Sequence, residues 1–277
     1  MDAVRVIGPG RAGRSVVAAL EAVGGVAVDG VLGRADPVAG AGHGVDVLIV
    51  ATPDDAISGV AGRVEPDERT VVVHLSGACG LDVLAPHPHR ASLHPLVALP
   101  DAERGARRLR DGATFALSGS DEASLAAVGR IVAALGGTAV VVPEWARTTY
   151  HAAAAVAANH LVALLGQVER IAAEAGLPLS LFEGLVRGAV DDAFSAGPAR
   201  ALTGPAARGD LGTLQRHRDV LAALPGGSEE VAAYDALVAM ARRLAADGPA
   251  ADGPAAHGPA THGPGMVRAG HGTGAAA

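Results

Sequence analysis

Residues 4–13 read Val4-Arg5-Val6-Ile7-Gly8-Pro9-Gly10-Arg11-Ala12-Gly13, an apolar run that breaks into G-x-G-x-x-G and enters a helical pattern from Ala12 to about Val23. Each glycine has its own job in such a turn. Gly8 permits the tight reversal, Gly10 lets a diphosphate approach the backbone, and Gly13 lets the helix pack closely on the strand. The helix start adds unpaired N–H groups and partial positive charge. Glycine-rich turns are common, so the weight of the motif comes from its context, a strand before and a helix after. The stretch predicts a dinucleotide site built from Gly8, Pro9, Gly10, Arg11, Ala12 and Gly13.

Outward from that turn, short apolar runs alternate with helical stretches, the pattern of a parallel sheet covered by helices. Val26 to Leu32, Val45 to Ala51, Thr70 to Leu75, Phe115 to Leu117 and Thr138 to Val142 read as strands, and Ala123 to Leu135 as an amphipathic helix. Residues 1–143 are therefore expected to form an α/β domain with a Rossmann parallel sheet. Past Pro143 the texture changes. Between Glu144 and Ala175 the only Gly or Pro is Gly166, and apolar residues recur at helical spacing. That predicts one helix about 48 Å long at 1.5 Å per residue, ended by Gly176 and Pro178. Further helices are expected over Pro178–Ala196, Leu211–Leu224 and Ser228–Ala246, so residues 144–246 read as an all-helical substrate and dimerisation domain. In residues 247–277 the unit Asp247-Gly-Pro-Ala recurs with Asp or His at its head. Gly and Pro at that density cannot hold a helix or strand, and the segment reads as a disordered, solvated tail.

Composition narrows the function classes. The chain of 277 residues is 49% hydrophobic but 2% aromatic, so its core must be built from Ala, Val and Leu. A net charge of −7 and a pI near 5.8 argue against a nucleic-acid partner; the cluster Arg107-Arg108-Leu109-Arg110 reads as a solvated helix face. The single cysteine, Cys79, excludes an intrachain disulfide framework and fits a reducing, cytoplasmic setting. No leader-like opening and no unbroken apolar run of about 18 residues is seen, so no membrane association is expected. All 22 basic residues are arginine. Without lysine, Schiff-base catalysis by a side-chain amine is excluded, and a proton donor must be His, Tyr, a carboxylic acid, Cys or water.

The end of the second strand selects the cofactor. A carboxylate there would hold the ribose 2′-hydroxyl of NAD, whereas an arginine suits the 2′-phosphate of NADP. The strand ends Val31-Leu32-Gly33-Arg34, with Asp36 two residues on and Asp29 mid-strand. Gly33 and Arg34, reinforced by Arg11, favour NADP (NADPH), because a guanidinium grips phosphate bidentately. Ala51-Thr52-Pro53, at the carboxyl end of the third strand, are expected to line the cofactor, with Asp54 or Asp55 also able to cap a helix.

Several blocks together resemble the Rossmann-fold NADP oxidoreductases that carry a helical C-terminal domain of unknown function, relatives of ketopantoate reductase, pyrroline-5-carboxylate reductase and 6-phosphogluconate dehydrogenase. The resemblance spans residues 4 to about 240. It rests on residues 8–13, on Ala51-Thr-Pro-Asp-Asp55, His74-Leu-Ser76-Gly77-Ala78 and Ser92-Leu-His94-Pro95-Leu96. More specific are Tyr150-His151 with Asn159-His160, and Leu202-Thr-Gly-Pro-Ala-Ala-Arg208-Gly-Asp210 with His217. Ala116-Leu117-Ser118-Gly119 departs from the pattern by lacking a glutamate before the glycine, which weakens any role for that loop. The resemblance implies a small 2-keto acid as substrate, and a helix carrying His151 that faces the cleft.

Reducing a carbonyl requires a hydride and a proton. His151 is the first candidate for proton donor or substrate orienter, with Asn159, eight residues on, as its polar partner. His94 is the second candidate for the acid, against a turn-shaping role beside Pro95. Ser76 is a candidate for holding the substrate or the nicotinamide carboxamide. Arg208 could clamp a substrate carboxylate, helped by Thr203 and His217, or instead pair with Asp210 or Asp192. His87, His89 and His94 lack the further ligands that a zinc site needs, and no metal is expected. The leading reading is an NADP-dependent reductase of a small keto acid, acting as a homodimer through its long apolar helices. The alternatives are a prephenate-type dehydrogenase, a deazaflavin-linked NADP oxidoreductase, and a catalytically silent NADP-binding sensor.

Overall fold

The computed structural model describes residues 2–248 and 266–267, and its sheet has the order β2-β1-β3-β4-β5-β6-β7-β8. Strands β1 (Asp2–Ile7), β2 (Val26–Leu32), β3 (Val47–Val50), β4 (Val71–His74) and β5 (Arg90–Pro95) run parallel. β6 (Thr114–Gly119) is antiparallel to β5, and β7 (Thr138–Val141) is parallel to β6. The chain thus leaves β1 in one direction to make β2 and returns to the other side of β1 as β3. Such a switch point opens a crevice outside the carboxyl ends of the flanking strands, here β1 and β3. The expected Rossmann sheet is present.

Strand alternation sorts side chains onto two faces. Val4, Val6, Val47, Ile49, Val73, Leu93, Phe115 and Leu117 pack under α1 (Arg11–Glu21), α3 (Ala102–Arg110) and α4 (Glu122–Ala134). Ile7, Leu48, Val50 and Val72 pack under α2 (Asp54–Ala61) and the turn containing Leu84. With so few aromatics the core is indeed aliphatic, Phe115 being its one large ring. β5 went unread in the sequence for a physical reason. Its residues Arg-Ala-Ser-Leu-His-Pro place polar groups at alternate positions, so no apolar run announces a central strand.

The helical stretch after Pro143 is continuous from Glu144 to Glu174, as expected, but not uniform. A 3₁₀ turn (Glu144–Ala146) leads into α5 (Arg147–Ala155), a π turn (Val156–His160) and α6 (Leu161–Glu174). Contacts divide the chain within this stretch, the first unit running through Ala158 and the second beginning at Asn159. The division falls later than Pro143 because the first turn of α5 belongs to the sheet: Arg147 is 3% exposed and bonded to β5 and β6.

The second unit comprises α6, α7 (Glu183–Ala196), α8 (Pro198–Ala201), α9 (Pro205–Arg208), α10 (Leu211–Ala222) and α11 (Gly227–Asp247). The turns α8 and α9 lie between the helices expected over Pro178–Ala196 and Leu211–Leu224; Pro198 and Pro205 each sit at a helix start, where a missing N–H costs nothing. Gln167 donates to the Glu230 carbonyl (3.1 Å) and Arg170 to its carboxylate (2.6 Å), tying α6 to α11. Although no membrane span was expected, Glu144–Glu174 is long and apolar enough to cross a bilayer by length and composition (mean hydropathy 1.3). Asn159, His160 and Gln167 interrupt it, which is why no apolar run stood out. The tail lies outside the described residues beyond Gly248, except that Met266–Val267 forms β8, antiparallel to β7.

Candidate active site

The glycine turn lies where β1 meets β3. Gly8 has φ +107°, and a Cβ there would sit 2.6 Å from the Ala51 carbonyl oxygen. A Cβ on Gly13 would fall 2.0 Å from the Gly8 oxygen. Both positions therefore exclude a side chain in the folded protein itself. Gly10 is different, since a Cβ there meets nothing within 4 Å. Its bareness leaves open space above the start of α1. That helix has Gly10 as N-cap, no side-chain cap and no acidic residue in its first turn, whereas Asp101, Asp121 and Asp210 cap α3, α4 and α10. Its first amides are left for an anion.

Around this turn stand the other expected cofactor residues. Pro9 and Arg11 are exposed, Ala12 is half-buried, and Pro9 lies against Gly33. The Asp36 carboxylate accepts the Gly33 N–H (2.7 Å), so it closes the turn after β2. Asp29 is bonded to Arg5 and turned from the site. Arg34 is exposed and has no ion pair among the described residues. Ala51 and Pro53 flank Thr52, whose Oγ1 is buried without a partner. A crevice with a bare Gly10, free amides, an orphaned hydroxyl and an unpaired guanidinium fits a phosphorylated dinucleotide.

Next to it, the face that is apolar through Val72 turns polar. His74 pairs in register with Ser92, and Ser92 with Ser118, giving a polar row across three strands. Arg147 lies over that row. Its Nη2 donates to Ser92 Oγ (2.7 Å), to Ser118 Oγ and to Glu144 Oε1 (3.1 Å). Acceptors replace water at its Nε and Nη2, whereas Nη1 is buried without a partner. His74 is fully buried with neither ring nitrogen bonded; burial first, and Arg147 second, push its pKa down to about 4.

One turn along α5, Tyr150 and His151 meet His94. The Tyr150 hydroxyl is 2.6 Å from His94 Nδ1, and the two histidine ring centroids are 6.1 Å apart. Both rings lie against Gly77, where a Cβ would be 2.7 Å from His151 Cδ2 and 2.8 Å from His94 Nε2. Burial, then the neighbouring His151 and Arg147, lower the His94 pKa to about 4, and burial raises that of Tyr150 to about 12. His94 is therefore neutral at physiological pH and holds no spare proton as an imidazolium.

The remaining expected residues separate. Ser76 donates to Asp54 Oδ2 (2.8 Å) and accepts from the Ala78 and Cys79 amides (3.1 and 3.0 Å). One donor and two lone pairs are a hydroxyl's full capacity, and here all of them tie Ser76 to Asp54 and to its own turn. Asn159 is exposed within the π turn, which breaks the α repeat on which its pairing with His151 was read. In the helical unit, Thr203 and His217 line a cavity of about 410 Å³, with His217 Nδ1 2.8 Å from the Tyr234 hydroxyl. Arg208 is exposed outside that lining. Asp210 is spent capping α10 at Thr213 (3.0 Å), so the Arg208–Asp210 bridge is absent. His87 meets the Ala61 carbonyl and His89 meets Asp121, each away from His94.

Arg147 was not among the sequence candidates, and Ser92, Ser118 and Tyr150 appeared only inside quoted blocks, with no role assigned. A tyrosine and a histidine adjacent on the first turns of an Ala-rich helix were the available signal for Tyr150. The missing glutamate before Gly119 drew attention from Ser118, which is buried at the β6 end of the row.

Residues 113–241 match the family described as Domain of unknown function (DUF2520). The match takes in β6 to α11, the part in which the resemblance placed its more specific blocks. No curated protein matches the chain. Among solved structures, BF3122 from Bacteroides fragilis, provisionally called an NADP oxidoreductase, is 18% identical with a TM-score of 0.73, covering 87% of this chain and 98% of that one. Protein TM1727 from Thermotoga maritima is 26% identical with a TM-score of 0.66, covering 88% and 98%. Pyrroline carboxylate reductase from Plasmodium falciparum, solved with NADP bound, is 11% identical with a TM-score of 0.58 over 88% and 98%. The fold read from the sequence, a Rossmann sheet followed by helices, is the fold of these proteins.

Proposed function

We propose that the chain is an NADPH-dependent reductase of a small 2-keto acid, ketopantoate-like in size and charge, working as a homodimer. The observation that carries the reading is the open space at Gly10 over the uncapped start of α1, with Arg34 unpaired at the end of β2. Gly8, Gly10 and the first amides of α1 would hold the diphosphate, and Arg34 with Arg11 the 2′-phosphate. When bound, NADPH supplies the hydride.

The chain's own part is the proton and the orientation of the carbonyl. A hydride arriving at a carbonyl carbon leaves charge on oxygen, which a positioned acid must neutralise. Lysine is absent from the sequence, and His94 is held neutral by burial, then by His151 and Arg147. His151, half-buried at the edge of the same cluster, is the residue we assign to deliver the proton to the carbonyl oxygen and to recover one from water. The keto-acid class is supported by the resemblance to ketopantoate reductase relatives.

Loss of NADPH absorbance across a panel of small 2-keto acids tests the reading. At least one acid is expected to be turned over, with kcat/KM lowered about 10²-fold or more in His151→Gln, the range of a lost general acid. Tight NADPH binding with no turnover on any keto acid would contradict it.

A further inference from the structure

The contact between Tyr150 and His94 has a direction, and the direction fixes what His94 offers. Two arrangements satisfy 2.6 Å between Tyr150 Oη and His94 Nδ1. Either the phenol donates to a bare Nδ1, or Nδ1–H donates to the phenol oxygen. A neutral imidazole carries one proton and one lone pair, so the choice at Nδ1 dictates the opposite state at Nε2. A phenolic O–H is the better donor of the two and an unprotonated imidazole nitrogen the better acceptor. Tyr150 makes no other hydrogen bond among the described residues, so nothing competes for its proton. Burial keeps that proton on the oxygen.

We infer that Tyr150 is a positioning residue that locks His94 as its Nε2–H tautomer, making His94 a neutral hydrogen-bond donor toward the carbonyl substrate. The proton-bearing Nε2 is the nitrogen beside Gly77, close to His151. The other charged or titratable groups around the ring are Arg147 and His151, which disfavour a second proton, and Asp54, which favours one less strongly. The division of labour is then chemical: His94 polarises the carbonyl without ionising, and His151 supplies the proton. Gly77 is bare because both rings occupy the space of its side chain.

The inference rests on the proposed reduction for its purpose, but its test does not. In protein labelled with ¹⁵N-histidine, near pH 7 and without ligands, proton–nitrogen correlation reports which ring nitrogen is protonated, and His94→Gln assigns the resonances. His94 is expected to show a bare Nδ1 and a protonated Nε2. In Tyr150→Phe the fixed pattern is expected to give way to a mixture of tautomers. With a turned-over keto acid, the same variant should lose kcat by tenfold or more while its Kd for NADPH stays within twofold. A protonated Nδ1 in the wild type, an imidazolium at pH 7, or an unchanged pattern in Tyr150→Phe would overturn the inference. Absence of turnover alone would count against the proposed reaction and leave the tautomer result standing.

Discussion

Gly10 and Gly13 separate two reasons for a residue to be glycine. At Gly13 the fold itself forbids a side chain, because a Cβ would lie 2.0 Å from the Gly8 oxygen. At Gly10 the folded chain leaves room, with nothing within 4 Å. Gly13→Ala is therefore expected to cost stability, about 1–3 kcal/mol for forced overpacking, read as a lower midpoint in urea. Gly10→Ala should leave that midpoint nearly unchanged yet weaken NADPH binding at least tenfold by calorimetry. Equal effects of the two variants on stability would contradict the assignment. These glycines were legible because their spacing falls between an apolar strand and a helix start, a context that dictates their roles. Arg147 was not, since only the pairing of His74, Ser92 and Ser118 across three strands creates the acceptors that let it be buried. The bonding of Ser76 was hidden for a similar reason: a hydroxyl's free capacity depends on partners such as Asp54, which the sequence places 22 residues away.

Apolar periodicity exposed most elements. β2 falls at its expected limits, and the helical stretch from Glu144 was seen whole, because both advertise their period. The polar strand β5, which carries Ser92 and His94 of the candidate site, and the π turn at 156–160 do not. π turns recur at functional positions, where a helix is re-aimed locally. The helices of the second unit raise a separate question. Val162 on α6, and Leu185 and Phe194 on α7, are 69%, 72% and 90% exposed, and α6 and α7 flank an apolar groove of about 600 Å³. In the proposed homodimer this apolar surface is what the two copies would bury against each other. Light scattering is expected to give twice the chain mass at micromolar concentration, and Leu185→Glu with Phe194→Glu should return it to a monomer. A monomeric wild type would contradict the dimer.

At the scale of the molecule, sequence and structure converge on a switch point. The connections from β1 to β2 and from β2 to β3 leave to opposite sides of β1 there, the glycine turn opens on it, and the polar row under Arg147 begins on β4, the strand next to β3. Aliphatic faces form the sheet wherever chemistry is absent, and polar residues replace them toward the carboxyl ends of β4 and β5. The resemblance carried the fold further than periodicity could, whereas the buried partners of the site emerged only with the strands in register. The account depends most on a diphosphate resting against the opening amides of α1, with Arg34 reading the extra phosphate. Isothermal calorimetry with NADPH and NADH, on the wild type and on Arg34→Glu, tests this most directly. The account predicts NADPH binding at least tenfold tighter than NADH, about 1.4 kcal/mol, with that preference abolished in Arg34→Glu. No heat with either nucleotide, or equal affinities in the wild type, would contradict it.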